Sequence, residues 1–251
     1  LASQLDPLPE IKHIVWVDMG PYLDVTQRVL LASLAKQERE LHKGATIHEL
    51  RTLMDAQPGT HLKSDRQLRP EDRSSYFCTG GTTGLPKIAM RTHGAEVFNA
   101  WAMAAHMQPL GRSQVIFCGL PLFHVNAQLV TGLMPWTQGD HVILGTPNGY
   151  RGEGVIPRFW EMVEHFGINF FSGVPTVYSA LLQTGLEGRD LSSLRYAMCG
   201  AAPMPIELFR EFEDRTGVKI LEGYGLTEGA CVSSVNPPHG EHHIGSIGIR
   251  V

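Results

Sequence analysis

The sequence has no run of basic residues, and its 25 acidic side chains outnumber its 21 lysines and arginines, for a formal net charge of −4. That balance, without aromatic–basic interleaving, argues against nucleic acid as the main partner. It has no apolar stretch of the roughly 18–20 residues needed to span a bilayer, so no transmembrane segment is expected. The longest candidate, around residues 115–130, is broken by Pro121 and His124. Cysteine is scarce: Cys78, Cys118, Cys199 and Cys231 lie far apart and form no C-x-x-C pair. They read as reduced core residues of a cytoplasmic protein. Residues 1–10 are proline-rich and acidic rather than basic and then apolar, which is not the pattern of a secretory leader. The chain starts with Leu rather than Met, as a fragment or a processed product would. Repeats and low-complexity linkers are also missing. A content of 43% hydrophobic and 18% charged residues excludes a disordered chain.

What is present is alternation. Short β-rich runs exchange with amphipathic helices, which predicts an α/β fold with a mainly parallel sheet flanked by helices. Strands are expected at 14–17, 75–78, 115–119, 141–144, 168–171, 194–199 and 218–221. Helices are expected at 26–42, 46–54, 93–107, 127–136, 157–166, 175–184 and 205–216. The helix at 93–107 has Val97, Phe98, Trp101, Ala104 and Ala105 as its apolar positions. Residues 1–75 read as a lead-in to a core at 76–251, the two making one continuous domain. Ligand sites in such sheets lie outside the C-terminal strand ends. The loops after Cys78, Gly119, Phe171, Cys199 and Leu221 are therefore where chemistry is expected.

The loop after Cys78 is the richest. Thr79, Gly80, Gly81, Thr82, Thr83, Gly84, Leu85, Pro86 and Lys87 place three glycines, three threonines and a lysine in nine positions. Successive backbone N–H groups in a tight glycine-rich turn form a concave anion site. Threonine hydroxyls add neutral donors, and Lys87 adds a positive charge. The stretch is not a Walker A loop, which needs Gly-Lys followed by Ser or Thr; here Pro86 precedes Lys87 and Ile88 follows it. No G-x-G-x-x-G spacing occurs in it either.

Other strand-end loops supply possible partners. His124 and Asn126 lie in the loop after Gly119, and Gly200, Ala201 and Ala202 follow Cys199. Glu222, Gly223, Tyr224, Gly225, Leu226, Thr227 and Glu228 follow Leu221. Tyr224 could stack on a purine and Thr227 could donate to a phosphate. Glu228 repels phosphate unless a divalent cation lies between them, so phosphate here implies Mg²⁺. The small residues at 200–202 would let a flat ring lie against the backbone. Each also has a plain reading: Glu228 as a solvated carboxylate, Tyr224 as a packing residue, His124 as a structural histidine, and 200–202 as a tight turn. His239, His242 and His243 cluster beside Pro237 and Pro238 and read as a solvated loop.

Taken in order, Thr79–Lys87, Pro121–His124, Gly200–Pro203 and Tyr224–Glu228 resemble the motifs of the adenylate-forming superfamily. That superfamily includes acyl-CoA synthetases, peptide-synthetase adenylation domains and firefly luciferase. The resemblance runs from about residue 14 to residue 251. It implies part of the large N-terminal domain of an enzyme that activates a carboxylic acid with Mg-ATP to an acyl-adenylate and passes the acyl group to coenzyme A. Thr79, Gly80, Gly81, Thr82, Thr83, Gly84 and Lys87 would then form the mobile phosphate loop. Thr227 would contact the α-phosphate, Glu228 would hold Mg²⁺, and Tyr224 would stack on adenine with Gly200, Ala201 and Ala202 alongside. Glu222, Gly223 and Gly225 would belong to the same nucleotide-binding segment, and His124 would lie near the acyl carboxylate.

Two departures qualify the resemblance. Ile88 stands where the family often has glycine. The family's first segment, its downstream Tyr-x-x-Gly-Asp motif and its C-terminal lid domain have no counterpart here, which implies an inactive core fragment of a longer ligase. No acidic residue occurs in 166–176 to pair with an α-amine, which favours a fatty or aromatic acid. Trp101, Trp136, Phe123, Phe171 and Val174 are candidate walls for it. An adenylation domain that loads a carrier protein, a non-catalytic nucleotide-binding module, and a homodimer all stay open.

Overall fold

A computed structural model describes residues 12–18, 24–26, 28–29, 45–61, 63–64, 66–79, 87–107, 113–241 and 243–251. The chain divides into two compact units, Leu1–Gln67 and Leu68–Val251.

In the first unit, β1 (His13–Trp16) and β2 (Thr46–Glu49) pair in parallel, with His13 opposite Thr46. β2 leads straight into α1 (Leu50–Asp55). Glu49 makes the junction: its carboxylate accepts the N–H of Thr52 at 2.6 Å and of Arg51 at 2.9 Å. These bonds, Thr52 first, hold its pKa below the ordinary carboxylate value. The helix expected over 46–54 is thus corrected. The β-branched Thr46 and Ile47 favour extended chain, and the helix starts only after its capping carboxylate. The helix expected over 26–42 lies almost wholly outside the described residues.

The second unit begins with a hairpin. β3 (Arg73–Thr79) and β4 (Lys87–Thr92) pair antiparallel as a separate two-stranded sheet, with Thr79 opposite Lys87. The expected strand at 75–78 is therefore present but does not join the parallel sheet, and β4 is a strand the sequence pattern does not reveal. Its polarity is inverted: Ile88 and Met90 face outward, exposed, while Arg91 is buried. A period-2 reading looks for the opposite.

α2 (His93–Met107) follows with the expected bounds. Its buried face is Glu96, Asn99, Ala100, Met103, Ala104 and Met107, whereas Val97, Phe98 and Trp101 are exposed.

The main sheet contains β5 (Val115–Cys118), β6 (His141–Leu144), β7 (Phe170–Gly173), β8 (Tyr196–Cys199), β9 (Lys219–Gly225), β10 (Val232–Val235) and β11 (Ile249–Arg250). Its order is β11-β10-β9-β8-β7-β5-β6. The pairs from β6 through β9 are parallel, and β10 and β11 add on antiparallel. The mainly parallel sheet expected from the alternation is the one observed.

Helices cover both faces. A π-helical segment (Asn126–Leu133) runs into α3 (Met134–Gln138), followed by α4 (Phe159–Phe166), α5 (Pro175–Leu182) and α6 (Ile206–Thr216). Neighbouring strand residues point to opposite layers. Ile116, Phe170, Met198 and Leu221 join one apolar cluster with Met103 and Leu129. Phe117, Phe171, Ala197 and Ile220 join the other with Phe159, Trp160, Tyr178 and Phe212. Phe159 and Phe171 meet edge to face with centroids 4.9 Å apart, a contact worth about 0.5–1.5 kcal/mol beyond the area it buries. Among the described residues, no helix is long and apolar enough to cross a membrane.

One boundary bears on the site. β9 runs on through Glu222, Gly223 and Tyr224 to Gly225, where a loop after Leu221 is expected. Gly223 pairs with Val235 and Tyr224 with Ser234 of β10, a partner strand that local pattern does not announce.

Candidate functional site

A cavity of about 250 Å³ opens at the C-terminal ends of β8 and β9 and beside the loop after β5. Its walls include His124, Asn126, Gly200, Ala201, Tyr224 and Thr227. A second cavity, about 140 Å³, shares His124, Asn126, Gly200 and Ala201 and adds Phe123, Val174 and Arg151. The two form a two-part site with a common wall, at the strand ends where doubly wound sheets hold ligands.

The Tyr224 side is set by a turn closed on itself. Leu226 N–H donates to the Cys231 carbonyl at 2.8 Å, Gly229 N–H to Leu226 at 3.1 Å, and Cys231 N–H to Gly229 at 3.0 Å. A Cβ on Gly225 would fall 1.7 Å from the Cys231 carbonyl oxygen, so only glycine lets the strand enter this turn. Thr227–Gly229 form one turn of 3₁₀ helix. This presents Thr227 to the cavity, with Glu228 exposed beside it.

Opposite lies the turn after β8. Ala201 has φ +66°, a left-handed conformation that costs a non-glycine residue roughly 1–3 kcal/mol. Strain of this kind at a cavity wall is a mark of functional sites. A Cβ on Gly200 would lie 3.5 Å from the Gly223 carbonyl oxygen, an ordinary contact. The fold tolerates a side chain there; the cavity is what the glycine keeps open.

His124 lines both cavities. Its Nδ1 accepts the backbone N–H of Asn126 at 3.2 Å, so the neutral ring carries its proton on Nε2. Burial lowers its pKa from the ordinary histidine value, which keeps the ring neutral at pH 7. Asn126, which the sequence reading places in the loop after Gly119 without a role, also lines both cavities. It is buried, and its Oδ1 finds no hydrogen-bond partner among the described residues. An orphaned buried acceptor on a cavity wall is one that a ligand can satisfy. The only sequence signal for it is its place two residues after His124.

The remaining sequence candidates are scattered. Thr79 and Lys87 close the base of the β3–β4 hairpin, where Thr79 Oγ1 donates to the Lys87 carbonyl at 3.3 Å. Gly80, Gly81, Thr82, Thr83 and Gly84 lie outside the described residues. Gly223 and Gly225 line the first cavity, while Ala202 is exposed beside Ala201 and is not part of its wall. Glu222 points elsewhere. Its buried carboxylate accepts the Gly245 N–H at 2.8 Å and the Met204 N–H at 3.3 Å, tying two loops together. Of the candidate acid walls, Phe123 and Val174 line the second cavity. Phe171 is sealed in the core, and Trp101 and Trp136 are exposed on the surface.

The chemistry of this donor set fits a nucleotide. A half-exposed aromatic ring faces small residues, a hydroxyl sits on a rigid turn, and an unpaired acceptor is at hand. Among the described residues, no three His, Cys, Asp or Glu side chains converge on a metal position. A single carboxylate such as Glu228 still suits Mg²⁺, which is commonly held by one or two carboxylates together with substrate phosphates.

The chain is 43% identical over 204 residues to the marinolic acid–CoA ligase of Pseudoalteromonas sp. (strain SANK 73390), covering 80% of this chain and 31% of that protein. It is 31% identical over 259 residues to the long-chain-fatty-acid–CoA ligase of Bacillus subtilis (strain 168), covering 98% and 44%. Among solved structures it is similar to the anthranilate CoA ligase AuaEII in complex with anthranoyl-AMP, with TM-score 0.78, 25% identity and coverage of 99% and 43%. MatB from Rhodopseudomonas palustris with ATP bound shares the fold at TM-score 0.72 and 22% identity, covering 100% and 48%. The chain thus spans less than half the length of these relatives. Residues 8–251 match the family described as AMP-binding enzyme, and the chain belongs to that family.

Proposed function

We propose that this chain is the nucleotide- and acid-binding core of an AMP-forming acid–CoA ligase. The observation that carries this reading is the two-part site: a polar cavity and an apolar one that share the wall of His124, Asn126, Gly200 and Ala201. Adenine stacks on Tyr224 against the backbone at 200–201, and Thr227 meets the α-phosphate. Lys87, with the Gly/Thr loop, follows the β- and γ-phosphates. The acid lies in the apolar cavity with its carboxylate toward His124.

A carboxylate oxygen attacks the α-phosphorus in line, the bond to pyrophosphate breaks, and an acyl-adenylate forms. A thiolate then attacks the acyl carbon and AMP leaves. Glu228 is the residue that would hold Mg²⁺, which would supply charge neutralisation at the phosphates. The chain's own contribution is positioning and charge stabilisation. A neutral His124, with Nδ1 occupied by the Asn126 N–H, can give its Nε2–H to the carboxylate.

The acid is apolar, fatty or aromatic. No Asp or Glu lies among the described residues lining the second cavity, so an α-amino group would lack a counter-charge there. The relatives named as CoA ligases favour coenzyme A over a carrier protein as thiol acceptor. Four free thiols fit a cytoplasmic setting.

Calorimetry with ATP and with non-hydrolysable acyl-adenylate mimics bearing long-alkyl, short-alkyl, aromatic and aminoacyl groups tests this. The long-alkyl or aromatic mimic should bind at least tenfold tighter than the aminoacyl one, a gap of about 1.4 kcal/mol. Binding of neither ATP nor any mimic would leave only a non-catalytic module, and the proposal would fail.

A further inference from the structure

We infer that Arg91 is a positioning residue of this site. Its guanidinium anchors the turn that carries Thr227 and Glu228, and ties that turn to the hairpin that starts its second strand at Lys87. The inference rests on the nucleotide reading given above.

Arg91 lies in β4, four residues past Lys87, and is only 3% exposed. Its fork reaches four separate elements. Nε donates to Ser75 Oγ of β3 at 3.0 Å. Nη2 pairs with Glu96 of α2 at 2.6 Å and also donates to Gln128 of the π-helical segment. Nη1 donates to the Ala230 carbonyl at 2.5 Å. The Phe77 ring lies under the guanidinium carbon, 4.2 Å from its centroid. Ser75 Oγ in turn donates to Glu96 at 2.5 Å, so the carboxylate is held from two sides.

The bond to Ala230 is the informative one. Ala230 has φ +72° and ψ −61°, and the Cys231 N–H reaches back over it to Gly229 at 3.0 Å. This is the rare positive-φ γ-turn, a strained form for any residue with a Cβ. The turn's other main-chain bonds are internal, from Leu226 to Cys231. The Arg91 fork grips the turn's strained residue from the hairpin, two residues beyond Glu228. A buried ion pair is weak support for stability alone, since packed apolar residues do as well. A planar fork holding one carbonyl, one carboxylate, one hydroxyl and one amide is what fixes geometry. The group facing the phosphates from the turn and the group facing them from the hairpin thus share one anchor. Gln128, whose N–H donates to the His124 carbonyl at 3.2 Å, brings the His124 segment into the same frame.

The test compares the wild-type chain with Arg91→Lys, which keeps charge and loses the fork. A second variant, Arg91→Met combined with Glu96→Gln, removes the pair without leaving a buried charge. Circular dichroism and thermal melting establish folding. Calorimetry then measures adenosine, which has no phosphate, and ATP with and without Mg²⁺. Affinity for Mg-ATP should fall about tenfold in both variants, the size of one lost charge-assisted hydrogen bond, and the Mg²⁺ dependence should shrink with it. Adenosine should bind within about twofold of wild type, since Tyr224 and Gly200 lie on other elements. Equal losses for adenosine and Mg-ATP, or no loss in either, would overturn the role of Arg91 alone. A wild-type chain that binds neither ligand would overturn the nucleotide reading and this inference together.

Discussion

The backbone N–H of Asn126 donates to Nδ1 of His124 at 3.2 Å, and this bond exists only while that nitrogen is unprotonated. Burial already depresses the His124 pKa below the value of 6.5 it has in an open chain. The unfolded chain therefore takes up this proton at a higher pH than the folded one. The contribution to stability is full above pH 6.5 and is lost as pH falls through the depressed folded value. Relative to His124→Gln, the wild-type chain should lose stability on acidification below pH 6.5. Urea midpoints of both proteins between pH 5 and 8 check this; parallel curves would refute it.

Asn126 should trade stability for binding. Its Oδ1 is buried without a partner among the described residues, so Asn126→Leu, similar in shape, should stabilise the ligand-free chain by up to about 2 kcal/mol. The same change removes an acceptor from both cavities and should weaken the acyl-adenylate mimic several-fold. Denaturant midpoints and calorimetry on one variant read both effects, which should have opposite signs.

Two glycines of the site should respond differently to alanine. At Gly225 the new Cβ would sit 1.7 Å from the Cys231 carbonyl oxygen, and the main chain must move. Gly225→Ala should cost about 3 kcal/mol or more, at the high end for overpacking, and abolish nucleotide binding. At Gly200 the nearest atom is 3.5 Å away. Gly200→Ala should melt within a few degrees of wild type yet bind adenosine more weakly, because its methyl enters the cavity. Melting curves and calorimetry separate the two cases.

Thiol chemistry offers a simple count. Cys78 is exposed, while Cys118, Cys199 and Cys231 are buried. Burial pushes the Cys199 and Cys231 thiols up to about 12 and raises that of Cys118 as well, so all three are protonated at neutral pH. A thiol reagent at pH 7.5 should modify one cysteine, Cys78, in the native chain and all four in denaturant. Mass spectrometry of the labelled chain gives the number directly; rapid native labelling of Cys199 or Cys231 would contradict the packing.

Local pattern reaches the elements whose neighbours are their own sequence neighbours. The helix at 93–107 and the strand at 141–144 have the bounds read from the sequence. The starts at 157 and 205 slip by one or two residues because each proline precedes its helix. Pattern fails where a distant strand decides. Residues 222–225 are extended because β10 pairs with them, and β4 hides because its buried residues are an alanine and an arginine while Ile88 and Met90 are exposed. The apolar face read for 93–107 is turned outward at Val97, Phe98 and Trp101, while Glu96 and Asn99 are buried. Each of those polar groups has a partner on another element, Arg91 and Ser75 for Glu96 and the main chain of Val232 for Asn99.

The sequence by itself determined the alternating α/β class, the four motifs and their order, and the presence of a tyrosine, a threonine and a histidine at or just beyond strand ends. These depend on residue type and spacing, which chain order preserves. Only the tertiary structure decided which of those side chains meet. It turned Glu222 away from the cavity, put Asn126 on the wall common to both cavities, and set Arg91 behind the turn of Thr227 and Glu228. The reason is physical: a buried polar group is placed by the partner that satisfies it, and Ala230, 139 residues from Arg91 in sequence, becomes that partner only when the chain is folded.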